Sequence, residues 1–352
     1  MLTLPYYVHR WIDHLPWILA GPLRKRFAAP IGHYFLLSKT PLIILMPEDF
    51  CDHPSLWDPF FDYLKNRRAY FLGLVRGGIE FDPPAYKQSL SSALAKQALK
   101  YPEHHFVFLA NNVAQTHMYD ELGIESAFVN HNCFANENLF TIKPDSPKLF
   151  DALYNGVCAP YKRLELASRT DNLAIITYLQ SQHLDYFETT KALLGHAKWL
   201  NFPEGNINSY SYSPISSEGI CNLLNQSRAG LCLSHTEGAM VASIEYLLAG
   251  LPVVSTPSYG GRDVFFDDEY VVTVEASAEA VRDGVNQVIG KNIDPYKIRT
   301  ATLRKVEEHR QRFVDLIVNI TEREGLEADR HRIYEMICQN QMYKLRSLHK
   351  IF

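Results

Sequence analysis

No Cys-x-x-Cys pair occurs in this chain. Its six cysteines (Cys51, Cys133, Cys158, Cys221, Cys232 and Cys338) are scattered, several of them inside apolar runs. That spacing speaks against a redox dithiol or a zinc ribbon, and it reads as reduced, buried thiols of a cytoplasmic protein. No apolar run reaches the ~18 residues of a spanning helix. A G-x-G-x-x-G after the first strand is missing, which argues against a nicotinamide enzyme, and so is the Gly-Lys-Ser/Thr of a P-loop. No Asp-x-Asp stands at a strand end, and no His/Cys cluster has zinc spacing. An excess of one charge sign is lacking too: the formal charge is -4 over 352 residues, which argues against a dedicated nucleic-acid binder. Repeats and low-complexity stretches are absent.

What is present is an apolar fraction of 47%, enough for a large core, and a length that suits two domains. Residues 41–46 form the first convincing buried strand. A helix over 55–66, with Leu56, Phe60, Phe61 and Leu64 at helical spacing, follows an acidic loop. Strand 70–75, helix 88–101, strand 105–110, helix 113–122 and strand 126–130 continue the alternation. Residues 140–151, with two prolines, read as a connector. Strands are then expected at 173–178, 198–201, 207–212, 229–233 and 252–255. Ser216 or Ser217 would cap a helix running to Gln226. Leu303, Val306, Phe313, Ile317 and Ile320 fit one face of a long helix, and a last helix spans 328–342. The first 20 residues carry Trp11 and Trp17, and Arg24–Arg26 follow. They read as an extra helix packed on the body, or as a peripheral membrane contact, and no small-residue cleavage site marks a signal peptide.

The most informative stretch runs from Ser234 to Val254. An apolar strand enters a polar turn at Glu237-Gly238, a helix carries Glu245 eight positions on, and Gly250 stands where that helix should stop. A second apolar strand begins at Pro252. Such a strand-turn-helix-strand unit belongs to a parallel sheet with crossover helices. Both carboxylates can then face the mouth of the sheet, where open α/β folds bind ligands. Helix-tip amides at Gly238, Ala239, Met240 and Val241 would carry partial positive charge beside a carboxylate that accepts from sugar hydroxyls. The plainer alternative makes Glu237 a helix cap and Glu245 a solvated residue.

The run resembles the E-x7-E signature of GT-B glycosyltransferases, most closely the retaining family 4 enzymes. Ser258-Tyr259-Gly260-Gly261-Arg262-Asp263 is similar to the family's Gly-Gly loop, and the likeness covers about residues 150–290. It implies two Rossmann-like domains facing a central cleft, with C-terminal helices crossing back to the first. The expected division is 1–145 for the acceptor domain, 146–325 for the donor-binding domain and 326–352 for the crossover helix. The resemblance further implies transfer of a sugar from a nucleotide diphosphate sugar to a glycan or lipid-linked acceptor, with retention and without metal or resident cofactor. A place in the cytoplasm or at the inner face of the membrane would suit that work.

Residue by residue, the resemblance makes Glu237 the carboxylate at the donor sugar and Glu245 the one at the ribose. Lys162 falls at the family's diphosphate-binding Lys. Val157 holds the position of its Arg partner, a departure for which Arg163 or Arg262 would have to compensate. Gly260 and Gly261 would admit a phosphate close to the backbone. A first-domain histidine near the reacting carbon would be His53 or His131, each of which also reads as an ordinary loop residue. Because of Val157, a non-catalytic sugar-nucleotide-binding or scaffolding subunit with the same fold stays open beside the enzyme.

Overall fold

The structure, a computed structural model, describes residues 34–47, 50–51, 54–203, 205–208, 211–338 and 343–345. The expected N-terminal helix, Asp49, Asp52 and His53 lie outside the described residues. Chain contacts divide the protein into two compact units: residues up to His131 with Arg310 onward, and Asn132–His309.

In the first unit the strands are β1 (Tyr34–Lys39), β2 (Leu42–Met46), β3 (Ala69–Leu74), β4 (His104–Ala110) and β5 (Ser126–Phe128). Helices α1 (Asp58–Leu64), α2 (Pro84–Lys100) and α3 (Val113–Glu121) connect them. Strands β2 to β5 are parallel and lie side by side in chain order. An antiparallel β1 adds one edge. Buried β2 and β3 read as unbroken apolar runs because helices cover a parallel sheet on both faces. Phe61, Phe71 and Phe106 fill one side, with Phe61 and Phe71 at 5.0 Å between ring centroids.

The second unit holds β6 (Phe150–Val157), β7 (Leu173–Tyr178), β8 (Lys198–Trp199), β9 (Ser227–Cys232), β10 (Thr236–Glu237), β11 (Val253–Ser255), β12 (Tyr259–Gly260) and β13 (Val271–Thr273). Its helices are α4 (Leu184–Leu193), α5 (Ser217–Asn225), α6 (Val241–Leu248) and α7 (Ala278–Gly290). The main sheet is parallel throughout, in the order β13-β11-β9-β6-β7-β8. The chain builds outward from β6 to β7 and β8, then returns to place β9 on the other side of β6. This reversal is a topological switch point, and the carboxyl ends of β6 and β9 flank it. Among the described residues the first unit's parallel strands show no such reversal.

Helix α8 (Pro295–Arg323) starts in the second unit and ends in the first, which places the change of unit inside an unbroken helix rather than near residue 325. It is followed by α9 (Arg330–Cys338) and by β14 (Tyr343–Leu345), which pairs with β1. Val306, Phe313, Ile317 and Ile320 are buried along α8, the face expected from their spacing. The other boundary falls earlier than 145/146 because the segment after His131 packs on the second unit. Phe140, Leu139 and Ala135 join its core. Arg299 holds the same segment, donating to the carbonyls of Phe140 at 2.6 Å and Glu137 at 2.7 Å, and to that of Leu248.

Two expectations fail. Residues 207–208 and 211–212 form no strand. Ser211 instead closes a local turn: its hydroxyl accepts from the Asn208 amide at 3.1 Å and donates to the carbonyl of Asn206, the competition with a ladder that Asn and Ser side chains offer. Conversely, Phe150 and Asp151, expected in the connector, open β6, a strand that the apolar pattern alone did not mark.

Gly230 in β9 shows how tightly α6 is seated. A Cβ there would overlap the ring of Tyr246, whose hydroxyl accepts from the Asn155 amide of β6 at 2.8 Å. Gly230→Ala is therefore expected to lower the stability of the second unit by about 1–3 kcal/mol through overpacking, measured as an earlier urea transition. A Tyr246→Phe change in the same background should not relieve it, because the ring, not the hydroxyl, is in the way.

Candidate active site

Beyond β6 the chain turns through a short 3-10 segment, Pro160–Lys162, and Arg163 adopts a left-handed conformation with φ 52°. Lys162 closes that segment and is buried, at 8% exposure. Its ammonium forms an ion pair with the carboxylate of Glu237. Glu237 sits in the two-residue strand β10, whose partner is β12, with Glu237 opposite Gly260. Thus residues that follow β6 and β9 meet at the switch point through opposite charges.

Helix α6 begins at Val241, later than the Gly238 start expected from the sequence. Met240 precedes it with φ 52°, and its carbonyl accepts from the amide of Ser243 at 2.9 Å and from the Ser243 hydroxyl at 2.8 Å. Gly238 and Ala239 form the turn before it. The Gly238 carbonyl accepts from the Gly261 amide at 2.7 Å, so that amide is already engaged. The Ala239 carbonyl accepts from the side-chain amide of Asn132 at 2.5 Å. Asn132 is not among the site residues expected from the sequence. Gly250 ends α6 with φ 71°, as its position suggested.

Glu245 lies on α6, half-buried, and its carboxylate has no hydrogen bond or ion pair to another described residue. Burial raises its carboxyl from 4.5 to about 7. The structure gives no direct contact between Glu245 and the Lys162–Glu237 pair.

Arg163 and Arg262 are occupied by the protein. The Arg163 guanidinium donates to the Leu233 carbonyl at 2.7 Å, the Thr256 hydroxyl at 2.8 Å and the Pro257 carbonyl at 3.0 Å. Arg262 is fully buried, and donates to the carbonyls of Cys232, Ser234 and Thr256, the hydroxyl of Ser255 and the carboxylate of Asp263. Every nitrogen of the Arg262 guanidinium is taken up in this way, and in Arg163 Nε and Nη2 are, while Val157, 1% exposed at the end of β6, offers no cation of its own. Burial and the neighbouring charge of Arg262 lower the pKa of Arg163.

His131 belongs to the first unit. Its backbone amide donates to the Asn111 side chain at 3.1 Å, and burial lowers its imidazole to about 4, so it is neutral at physiological pH. Asn111 itself is tied to the Val75 carbonyl at 2.6 Å, which makes it a structural residue of that sheet end.

Residues 204–304 match the family model of glycosyl transferases group 1. No protein of curated function matches the sequence. Among solved structures, HepE of Anabaena in complex with UDP and glucose is 13% identical, with a TM-score of 0.52 over 84% of this chain and 77% of that one. A glycosyltransferase of Rickettsia africae is 16% identical, with a TM-score of 0.53 over 97% and 84%. A TarM variant of S. aureus in complex with fondaparinux, alpha-GlcNAc-glycerol and UDP is 17% identical, with a TM-score of 0.54 over 77% and 55%. The fold is that of the GT-B glycosyltransferases. The group 1 match lies wholly within the second unit and takes in Glu237, Glu245 and the Gly260-Gly261 loop. No helix among the described residues is long and apolar enough to cross a membrane.

Proposed function

We propose that this chain is a nucleotide-sugar-dependent glycosyltransferase of the retaining family 4 type, with the donor held by the second unit. The observation that carries the reading is the buried Lys162–Glu237 pair at the switch point of the second sheet. Lys162 would hold the donor diphosphate and stabilise the charge that grows on it as the glycosidic bond breaks. Glu237 would accept from hydroxyls of the transferred hexose. Glu245 would accept from the ribose hydroxyls, and the backbone of Gly238 to Val241 with the Gly260-Gly261 loop would line the sugar and phosphates. Transfer would proceed by front-face attack, the leaving phosphate serving as base, with the Lys162 cation and helix-tip amides in the place a metal would otherwise take. A glycan or lipid-linked acceptor, as in polysaccharide biosynthesis, is assigned to the first unit, with His131 or His53 as its candidate histidine. Work at the inner face of a membrane fits the basic cluster at Arg24–Arg26.

Val157 and the occupied state of Arg163 and Arg262 favour one second reading, a subunit that binds sugar nucleotides without turnover. A thermal-shift series with UDP, ADP, GDP and CDP, followed by product detection with the matching sugar nucleotide, separates them. One nucleoside diphosphate at about 100 times its Kd should stabilise the second unit by about 3 kcal/mol. Stabilisation with transfer or slow donor hydrolysis supports the enzyme. Stabilisation without either supports the binding subunit, and no stabilisation by any of them removes both readings.

A further inference from the structure

Arg163 and Arg262 donate to oxygens at the carboxyl end of β9 in alternation. Arg262 takes the carbonyls of Cys232 at 3.1 Å and Ser234 at 3.0 Å, and Arg163 takes that of Leu233, between them. Thr256 donates to the same stretch, its amide to the Cys232 carbonyl at 3.2 Å and its hydroxyl to the Leu233 carbonyl at 3.1 Å, so the two guanidiniums reinforce a link between the ends of β9 and β11. Each also grips the end of the neighbouring β11. Arg262 donates to the Ser255 hydroxyl at 2.8 Å and the Thr256 carbonyl at 2.6 Å, while Arg163 donates to the Thr256 hydroxyl and the Pro257 carbonyl. Of these, the buried Ser234 carbonyl has no donor but Arg262 among the described residues, and a buried carbonyl without a donor is costly.

We propose that Arg163 and Arg262 are a paired positioning clamp that brings Lys162 and Glu237 together, rather than ligands of the diphosphate. The inference deepens the donor-site reading above and rests on it for its link to function. Each arginine is joined to one member of the pair. Arg163 follows Lys162 directly, and its turn is tied to the β9 exit by the His235 amide, which donates to the Tyr161 carbonyl at 2.9 Å. Arg262 follows the Gly260-Gly261 loop, which pairs with Glu237 and whose Gly261 amide donates to Gly238. Fixing the two strand ends fixes both tethers. A lysine at either position keeps the charge but has one donor centre, which cannot span both strands. Charge alone therefore does not replace the clamp.

Amide hydrogen exchange on the full chain tests this without any ligand. In Arg163→Lys, the His235 and Gly261 amides should exchange at least ~10-fold faster while Leu231, in the middle of β9, keeps its wild-type rate. Arg262→Lys, with a fully buried site, should act in the same direction and serves as a second variant. Unchanged exchange at both amides, or equal acceleration at Leu231, overturns the clamp. UDP titration adds the functional readout: both lysine variants should bind about 10-fold more weakly than wild type at a temperature where they remain folded. Folded variants that bind UDP as wild type does show a merely structural role and also overturn the proposal. Should the wild-type chain bind no nucleoside diphosphate, the donor reading falls, and the exchange profile alone decides the clamp.

Discussion

Glu245→Gln is expected to make the free protein more stable and the nucleotide complex weaker. An unfolded glutamate ionises near 4.5, whereas burial on α6 raises the folded value to about 7. Between these values the folded chain keeps a proton that the unfolded chain has released. Stability therefore falls as pH rises from about 4.5 to about 7 and stays at the lower level above it. With about 1.4 kcal/mol per unit, and a reduction for the part of the side chain that water still reaches, the ionised carboxylate costs about 1–3 kcal/mol at pH 8. Glutamine has nearly the same shape and no charge, so the variant should recover that amount near pH 8 and little near pH 4. The benefit to the wild type appears on binding. Ribose hydroxyls donate to a carboxylate more strongly than to an amide oxygen, and hydrogen bonds to charged groups contribute about 1.5–3 kcal/mol, so UDP affinity should drop about 10-fold or more. Wild-type affinity should rise as pH passes 7, while that of the variant stays flat. A variant that is no more stable at pH 8, or that binds UDP as tightly as wild type with the same pH dependence, would remove Glu245 from the site.

The architecture is legible in the sequence where burial on both sheet faces imposes continuous apolar runs. Leu173–Tyr178 is found at its expected bounds for that reason, and the Ser216 cap, which accepts from the Gly219 amide at 3.1 Å, follows from local chemistry. The turn at Glu237 is legible because a Gly follows it between two apolar strands. What escapes is whatever depends on distant partners. Strand β6 contains Asp151, Asn155 and Gly156, a poor strand by composition, and it is held at the centre of the sheet by β7 and β9 on its two sides. Antiparallel β1 and β14 pair from opposite ends of the chain. The two arginines show the limit most clearly. Their positions beside Lys162 and the Gly-Gly loop suggest phosphate ligands. The β9-end carbonyls that occupy them come from residues 28 to 70 positions away, and no local pattern announces a strand end that takes up such donors.

Breaking the Lys162–Glu237 pair should have the largest effect of any single change. Both side chains are about nine-tenths buried, at 10% and 11% exposure, so removing one partner leaves an uncompensated charge in a poorly solvated place. Lys162→Met and Glu237→Gln are each expected to destabilise the second unit, with the lysine change at about 3–5 kcal/mol because it strands an ionised carboxylate. The double variant removes both charges and should regain most of that stability, giving a strongly non-additive cycle in urea unfolding. Turnover should follow a different pattern. A cation facing the departing diphosphate is worth about 3–4 kcal/mol of transition-state stabilisation, so every variant lacking Lys162 should lose about 10²–10³ in kcat, the refolded double variant included. Stability that returns without activity marks the pair as chemical machinery rather than a strut. Transfer at the wild-type rate in the double variant would show that the pair only supports the fold, and the diphosphate would then have to be held elsewhere.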